Sequence, residues 1–108
     1  MEFKDVQKRA LEIREHYHKL EEEKLGRPWT REEVMQGFVG DVGDLMRFTM
    51  AKAGIREIDD IDSKIAHELS DCLWSIMVLA KKYDVDLEKE FLTTMDELED
   101  RVVKNKRL

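Results

Sequence analysis

Apolar residues recur at alternating spacings of three and four along the first part of the chain, which predicts an amphipathic helix. These positions are Phe3, Val6, Ala10, Ile13, Tyr17 and Leu20. The segment Gly26-Arg27-Pro28 then breaks the pattern. Thr30 and Glu33 have the spacing of a capping box, so a second helix is expected to start there. It is predicted to run to about Ala53, with Gly54 in the left-handed conformation past its end.

A third helix is predicted after Asp59 or Asp60, either of which can cap it. Its core-spaced positions are Ile65, Leu69, Cys72, Leu73, Ile76, Leu79, Ala80 and Tyr83, and its other faces carry Trp74, Met77 and Val78. A helix that is apolar on several faces must be buried on several faces. Because four helices are too few to surround it, the pattern predicts that a second copy of the chain packs against this helix.

A fourth helix is expected to begin at Asp86, a residue that can cap it. Its apolar stripe consists of Leu87, Phe91, Met95, Leu98 and Val102. The basic end, Lys104–Leu108, is expected to fray. The chain is therefore predicted to be all-α, a four-helix bundle forming one domain over residues 1–108, with a core completed by dimerisation.

Composition agrees with a helical protein, because the 108 residues include one proline, five glycines and 41% charged residues. The net charge of −6 argues against a nucleic-acid-binding surface, which needs clustered Lys and Arg. The single cysteine, Cys72, excludes an intramolecular disulfide, and the apolar run around it is too short to span a bilayer. The first residues do not resemble a signal peptide, so a cytoplasmic location is expected.

Two acidic motifs stand at the edges of apolar runs: Asp41-Val42-Gly43-Asp44 and Glu68-Leu69-Ser70-Asp71. Within each motif the two carboxylates lie three positions apart, about 60° apart around a helix. Carboxylates at the edge of a core are unfavourable unless cations pair with them. Four of them from two facing helices predict a divalent-cation site, and Mg²⁺ is the ion that best suits oxygen ligands beside phosphates. The alternative is an ordinary solvated helix face.

Two other metal schemes fail on their residues. Glu15 and His18 form one Glu-x-x-His motif, but a di-iron bundle requires two. His67 begins a zinc-protease pattern that would require histidine at Asp71. The three histidines, which include His16, are therefore expected to be surface or boundary residues.

Three glycines and two tryptophans leave alternatives open. Gly37, Gly40 and Gly43 lie within the predicted second helix, where each costs about 1 kcal/mol relative to alanine. Close approach of another helix, or of a phosphate ligand, would compensate for that cost. Trp74 is interpreted either as a packing residue or as one wall of a nucleobase pocket, and Trp29 is equally ambiguous.

With these motifs, the chain resembles the MazG-like nucleotide pyrophosphohydrolases of the all-α NTP pyrophosphatase superfamily. The likeness extends over roughly residues 30–101. The first acidic motif is similar to the family's Glu-x-x-Glu, with aspartates in place of both glutamates. The second is similar to its Glu-x-x-Asp, and Asp84–Glu88 is similar to the start of the family's next helix.

The resemblance implies an enzyme that cleaves a nucleoside triphosphate between its α and β phosphates, giving the monophosphate and pyrophosphate. Its purpose would be removal of non-standard or excess nucleotides. The implied partners are a nucleoside triphosphate and further copies of the chain, in a homodimer or homotetramer, without nucleic acid or membrane. Catalysis and binding of Mg²⁺, or Mn²⁺ in its place, would fall to Asp41, Asp44, Glu68 and Asp71.

The resemblance also suggests which residues bind substrate. Arg101 stands at the family's arginine position and would neutralise phosphate charge, but Glu97 stands where the family has a lysine. Lys64, with Arg47 and Lys52, can substitute for that lysine, and Trp74 or Phe38 would contact the base. Two alternatives stay open. One is a non-catalytic regulatory protein that binds Mg²⁺ and nucleotide, and the other is a structural helical interaction module.

Overall fold

Four α-helices follow one another in this computed structural model, which describes residues 1–105. They are α1 (Phe3–Leu25), α2 (Arg31–Lys52), α3 (Ile61–Lys82) and α4 (Leu87–Asn105). Helices are the only regular elements among the described residues, so the all-α prediction is confirmed. Within that part of the chain, every helix is too short or too polar to cross a membrane. The remainder of the basic end that was expected to fray, residues 106–108, lies outside the described residues.

Both ends of helix α2 have the local structure that the sequence predicts. The Thr30 hydroxyl accepts a hydrogen bond from the Glu33 backbone N–H at 3.1 Å, and the Glu33 carboxylate accepts one from the Thr30 N–H at 3.0 Å. This is the predicted capping box. At the other end, Gly54 has a φ of 96°, in the left-handed region that glycine adopts without strain.

The starts of α3 and α4 differ from each other. Asp86 caps α4 as predicted, because its carboxylate accepts a hydrogen bond from the Lys89 N–H at 3.2 Å. Asp60 precedes α3 as predicted, but its side chain makes no capping hydrogen bond and its φ is 54°. Asp60 contributes to the start of α3 only through its backbone carbonyl, which accepts a hydrogen bond from the Lys64 N–H at 3.0 Å.

Helices α2 and α3 form an antiparallel pair. At the start of α2, the Arg31 guanidinium lies 4.6 Å from the ring centroid of Tyr83, at the end of α3. At the opposite end, the Lys52 ammonium is 2.8 Å from the carboxylate of Asp62. The middle turns of the two helices therefore face each other. This juxtaposition brings the two acidic motifs together.

Helix α1 packs against the second half of α3. The Trp74 indole N–H donates a hydrogen bond to the Ala10 carbonyl at 2.9 Å, and its ring lies 5.5 Å from that of Tyr17. Met77 and Val78 are the most buried side chains on α3, each 2% exposed. These two residues, which the sequence placed on the other faces of α3, are therefore buried within the single chain.

The opposite side of α3 is the exposed one. Its exposed apolar side chains are Leu69, Leu73 and Ile76, which were predicted to form the core. Tyr83, predicted with them, follows the end of α3 and is half exposed beside Arg31 of α2. The reason is geometric, since α1 and α2 cover only one side of α3 in the described residues. Helix α3 thus has one apolar face that is buried within the chain and a second apolar face that is exposed to solvent.

Helix α4 packs along none of the other described helices. Its apolar stripe is exposed over Phe91, Met95, Leu98 and Val102. The Cα radius of gyration is 17.1 Å, whereas a compact chain of this length has about 13 Å. The accessible surface is 8502 Å², compared with about 6,300 Å² for a compact protein of 12.8 kDa. The single chain is therefore an open structure.

Candidate functional site

The two acidic motifs meet between the middle turns of α2 and α3. One carboxylate oxygen from each of Asp41, Asp44 and Glu68 lies within 4.8 Å of the other two. Glu68 also belongs to a second group of the same size with Asp71 and His67. Magnesium holds oxygen ligands at about 2.1 Å, so opposite ligands are about 4.2 Å apart. Small side-chain rotations would therefore let this acidic cluster (Asp41, Asp44, Glu68 and Asp71) hold a metal ion.

Only part of the negative charge of the acidic cluster is compensated within the described residues, since a salt bridge reaches Asp44 but none reaches Asp41 or Glu68. Burial raises the pKa of Asp41, and the charges of Asp71 and Asp44 raise it further. Burial likewise raises the pKa of Glu68, with a further contribution from Asp41. The Glu68 Oε2 atom is buried and has no hydrogen-bond partner among the described residues. A cation between the helices would relieve both the repulsion and the missing contact.

His67 borders the acidic cluster from its solvent side. Its side chain is exposed, as predicted, yet its Nε2 lies 3.0 Å from the Asp71 carboxylate. This contact connects successive turns of α3, because the two residues are four positions apart. His67 is therefore placed where it can orient Asp71.

Two of the predicted phosphate-binding cations lie beside the acidic cluster. The Arg47 guanidinium is 3.1 Å from the Asp44 carboxylate. Lys64 lines a cleft of about 400 Å³ together with Phe48 and Glu68. Lys52, at the end of α2, is instead paired with the carboxylate of Asp62 in the first turn of α3. Of the cations that the sequence put forward, Arg47 therefore contacts the acidic cluster and Lys64 lines the cleft beside it.

Two other residues that were predicted to contact substrate do not lie beside the acidic cluster. Arg101 lies exposed on α4, which packs along neither α2 nor α3 in the described residues. Phe38 is half-buried on α2 and lines none of the cavities described in this section. A role for Arg101 at the acidic cluster would require α4 to be placed by something outside the single chain.

A cavity of about 280 Å³ adjoins the acidic cluster. This aromatic cavity is lined by Arg14, Tyr17, Glu21, Trp29, Val34, Gly37, Asp41, Trp74, Ser75 and Val78. Asp41 belongs to both features, so the cavity opens beside the carboxylates. Trp74 packs on Tyr17, which confirms its interpretation as a packing residue, and it also lines the cavity, while its contact with a nucleobase stays a prediction.

The glycines of α2 have unequal surroundings. A Cβ added at Gly37 would lie 3.2 Å from the Trp29 ring, so the glycine lets that indole lie close to α2. A Cβ at Gly40 or Gly43 would meet nothing within 4 Å in the described chain. Within the described chain, the only close neighbour of these three glycines is therefore the Trp29 indole at Gly37, where a second helix or a phosphate ligand was predicted.

A largely buried ion pair lines the cavity, and the sequence analysis missed it. The Arg14 guanidinium donates two hydrogen bonds to Glu21, at 2.8 and 2.7 Å. Glu21 also accepts one from the Trp29 backbone N–H at 2.8 Å, which fixes the connection between α1 and α2. Residues seven apart lie two turns apart on one helix face, so the Arg14–Glu21 spacing was the available signal.

Replacing Glu21 by Gln is expected to lower the free energy of unfolding by about 2 kcal/mol at pH 7, because the charged hydrogen bonds to Arg14 are lost. The Arg14 hydrogen bonds hold the pKa of Glu21 below its ordinary value of 4.5. Its charge therefore stabilises the fold above pH 4.5, and this stabilisation disappears as the pH falls further. Urea unfolding at pH 7 and pH 3 should show the gap to wild type narrowing in acid. Glu23→Gln, an exposed site on the same helix, serves as the control, and an equal gap at both pH values would contradict the charge-based explanation.

The chain was compared with three kinds of known protein data. Protein-family models, curated proteins and solved structures give no match to this chain. Membership of the MazG-like family therefore stays a prediction from the two acidic motifs.

Proposed function

We propose that this protein is a Mg²⁺-dependent nucleoside triphosphate pyrophosphohydrolase of the MazG-like type. The observation that carries the proposal is the convergence of Asp41, Asp44, Glu68 and Asp71 from two facing helices. The Oε2 of Glu68 is buried and has no partner among the described residues, so this cluster needs a cation in a way that a solvated acidic surface would not. The sequence resemblance, which rests on the order and spacing of the two motifs along the chain, also supports the proposal.

The proposed reaction is hydrolysis of the bond between the α phosphorus and the β phosphorus. A water oxygen bonds to one of these phosphorus atoms, the bond from that atom to the bridging oxygen breaks, and the products are the monophosphate and pyrophosphate. When bound, Mg²⁺ supplies positive charge to the phosphate oxygens and acidity to the attacking water.

The side chains of the site divide the remaining tasks. Asp44, Glu68 and Asp71 would hold the cation, and Mn²⁺ could replace Mg²⁺ on the same oxygen ligands. Asp41 accepts the proton of the water, a role that its raised pKa favours. Lys64, in the cleft beside Glu68, binds a phosphate oxygen.

We further propose that the protein acts as a homodimer. The described chain exposes about 2,200 Å² more than a compact protein of its mass. Two copies that each bury such an area would form an obligate interface, for which the usual range is about 2,000–5,000 Å² in total. The exposed apolar faces of α3 and α4 are the natural contact surfaces. A homotetramer, and a cytoplasmic role in clearing unwanted nucleotides, remain predictions of the resemblance.

One alternative has a specific observation in its favour. Both acidic residues of the first motif are the shorter aspartate, and Arg101 does not reach the acidic cluster within one chain. A regulatory protein that binds Mg²⁺ and nucleotide without cleaving it would tolerate both features. A structural interaction module would share the exposed helix faces but would gain no stability from Mg²⁺.

Product analysis separates these functions. The purified protein is incubated with a panel of ribo- and deoxyribonucleoside triphosphates in Mg²⁺, in Mn²⁺ or in chelator. We expect metal-dependent formation of monophosphate and pyrophosphate in equal amounts. Formation of diphosphate and phosphate would contradict the cleavage position. Binding without turnover would favour the regulatory protein, and neither binding nor metal stabilisation would favour the structural module.

A further inference from the structure

A histidine nitrogen lies among the carboxylate oxygens at one side of the acidic cluster. One potential ligand atom from each of His67, Glu68 and Asp71 lies within 4.8 Å of the other two. His67 and Asp71 are four positions apart on α3, so both side chains project from one face of the helix. Imidazole and carboxylate groups are common metal ligands in proteins. This group can therefore offer one nitrogen and two oxygens to a cation.

The spacing of His67 and Asp71 is that of two ligands on one ion. The Nε2 atom of His67 is 3.0 Å from the Asp71 carboxylate oxygen. On an octahedral ion with bonds of about 2.1 Å, two ligands at right angles to each other lie about 3.0 Å apart. A cation can therefore bind both atoms with little movement of either side chain.

Glu68 provides an independent reason for a cation at this position. Its Oε2 atom is buried and has no hydrogen-bond partner among the described residues. Glu68 and His67 also line the cleft of about 400 Å³ that contains Lys64. A cation held by three protein atoms keeps open coordination positions, and the cleft has room there for water or a phosphate oxygen. A histidine–carboxylate pair on an ordinary helix surface would have neither feature.

We propose that His67 is a metal ligand, and that His67, Glu68 and Asp71 bind a first-row transition ion such as Co²⁺ more tightly than Mg²⁺. Magnesium selects oxygen ligands, whereas an imidazole nitrogen suits transition ions, for which affinity rises from Mn²⁺ to Co²⁺. The neighbouring group of Asp41, Asp44 and Glu68 has oxygen ligands alone, and it stays suited to Mg²⁺. The inference rests on the proposed function only for what the bound cation does, since binding of the cation requires no substrate.

A second histidine provides a matched control. His18 and Glu22 are also four positions apart on one helix, and the distance from Nε2 to the carboxylate is also 3.0 Å. Neither residue belongs to a group of three potential ligands among the described residues. His18→Gln therefore removes the same kind of histidine–carboxylate contact at a place where no metal is expected.

The test measures the binding of Co²⁺ and of Mg²⁺ alone, without nucleotide, by calorimetry at pH 8, where protons compete little for imidazole. In His67→Gln, the amide can still donate a hydrogen bond to Asp71 but is a poor ligand for Co²⁺. Its Co²⁺ affinity is expected to be at least about 10-fold lower than that of wild type, because loss of even a residue that supports a ligand has this effect. Mg²⁺ affinity should not change. The visible absorption of bound Co²⁺ should change with the loss of a nitrogen ligand, and His18→Gln should match wild type throughout.

Three results would overturn the inference. They are equal Co²⁺ affinity in wild type and His67→Gln, an equal loss in the two histidine variants, and a wild-type affinity for Co²⁺ no higher than that for Mg²⁺. Glutamine favours a helix, and unchanged helical circular dichroism in chelator would exclude a folding defect. Failure of this inference is distinguishable from failure of the proposed function. Nucleotide turnover with Co²⁺ binding that does not depend on His67 contradicts only the ligand role, whereas His67-dependent Co²⁺ binding without turnover contradicts only the hydrolase.

Discussion

Glu68→Gln is expected to abolish metal-dependent pyrophosphate release while making the metal-free protein more stable. Glu68 is the residue common to both groups of potential ligands. Replacing a residue that only hydrogen-bonds to a metal ligand lowers metal affinity or activity by about 10–100-fold. Loss of a carboxylate that itself binds the metal should therefore lower activity by at least about 100-fold. Product formation from a nucleoside triphosphate in Mg²⁺ measures the loss.

The gain in stability follows from the sign of the pKa shift. Burial and the neighbouring Asp41 raise the pKa of Glu68, so the folded state binds its proton more tightly than the unfolded state does. Above that pKa, the ionised side chain lowers the free energy of unfolding, and this penalty develops as the pH rises from the ordinary value of 4.5. A neutral glutamine removes the penalty. In chelator at pH 7, the variant should therefore have a higher Tm than wild type.

Adding Mg²⁺ should reverse the order of stability. Wild type gains stability from a ligand that binds only the folded state, whereas Glu68→Gln should gain little. Glu57→Gln removes an exposed carboxylate from the α2–α3 connection and should behave as wild type in every assay. A Glu68→Gln protein that is less stable than wild type in chelator would refute the description of the acidic cluster as a repulsive, metal-seeking site. Unchanged turnover would refute its catalytic role.

Local chemistry explains why much of the fold was predictable. The Thr30–Glu33 capping box, the Asp86 cap and the left-handed Gly54 depend on a few adjacent residues, and all three occur as expected. The acidic cluster was predictable for a related reason. Two motifs with helical spacing, each at the edge of an apolar run, leave few ways to pack two consecutive helices without bringing their carboxylates together.

What could not be predicted depends on contacts between distant parts of the chain. The two faces of α3 are both apolar, so periodicity could not decide which of Val78 and Leu73 is buried by α1 and α2. The ion pair of Arg14 with Glu21 becomes part of a cavity only because Trp29 folds back over α2 at Gly37. Sequence spacing contains no information about that return of the chain.

A single lysine in the apolar stripe of α4 is expected to dissociate the proposed homodimer. Met95 is the member of this stripe to replace, since it lies between Phe91 and Leu98 and is 39% exposed in the single chain. An ammonium group in an apolar interface loses its hydration without gaining a partner. We expect the dissociation constant of the Met95→Lys dimer to rise by about 100-fold or more, equivalent to about 3 kcal/mol. Sedimentation or light scattering over a range of concentrations measures this change.

The effect on association can be separated from an effect on folding. In the described residues, α4 packs along no other helix of its own chain, so Met95→Lys removes little intramolecular packing. Thr93→Lys introduces the same side chain two positions earlier, about 200° around the helix axis. This control should remain dimeric, and both variants should keep the helical circular dichroism of wild type. Dimers that survive Met95→Lys, or that dissociate equally in both variants, would contradict an interface on this stripe.

The same variants test whether the interface matters for catalysis. In the described residues of one chain, α4 does not pack along α2 or α3, so Arg101 is not held at the acidic cluster. If dimerisation fixes α4, Arg101 gains a defined position, and turnover should fall together with the dimer fraction in Met95→Lys. Thr93→Lys should retain both dimer and turnover. Full turnover by a monomeric Met95→Lys protein would instead mean that Lys64 and Arg47, which already lie beside the carboxylates, suffice to bind the phosphates.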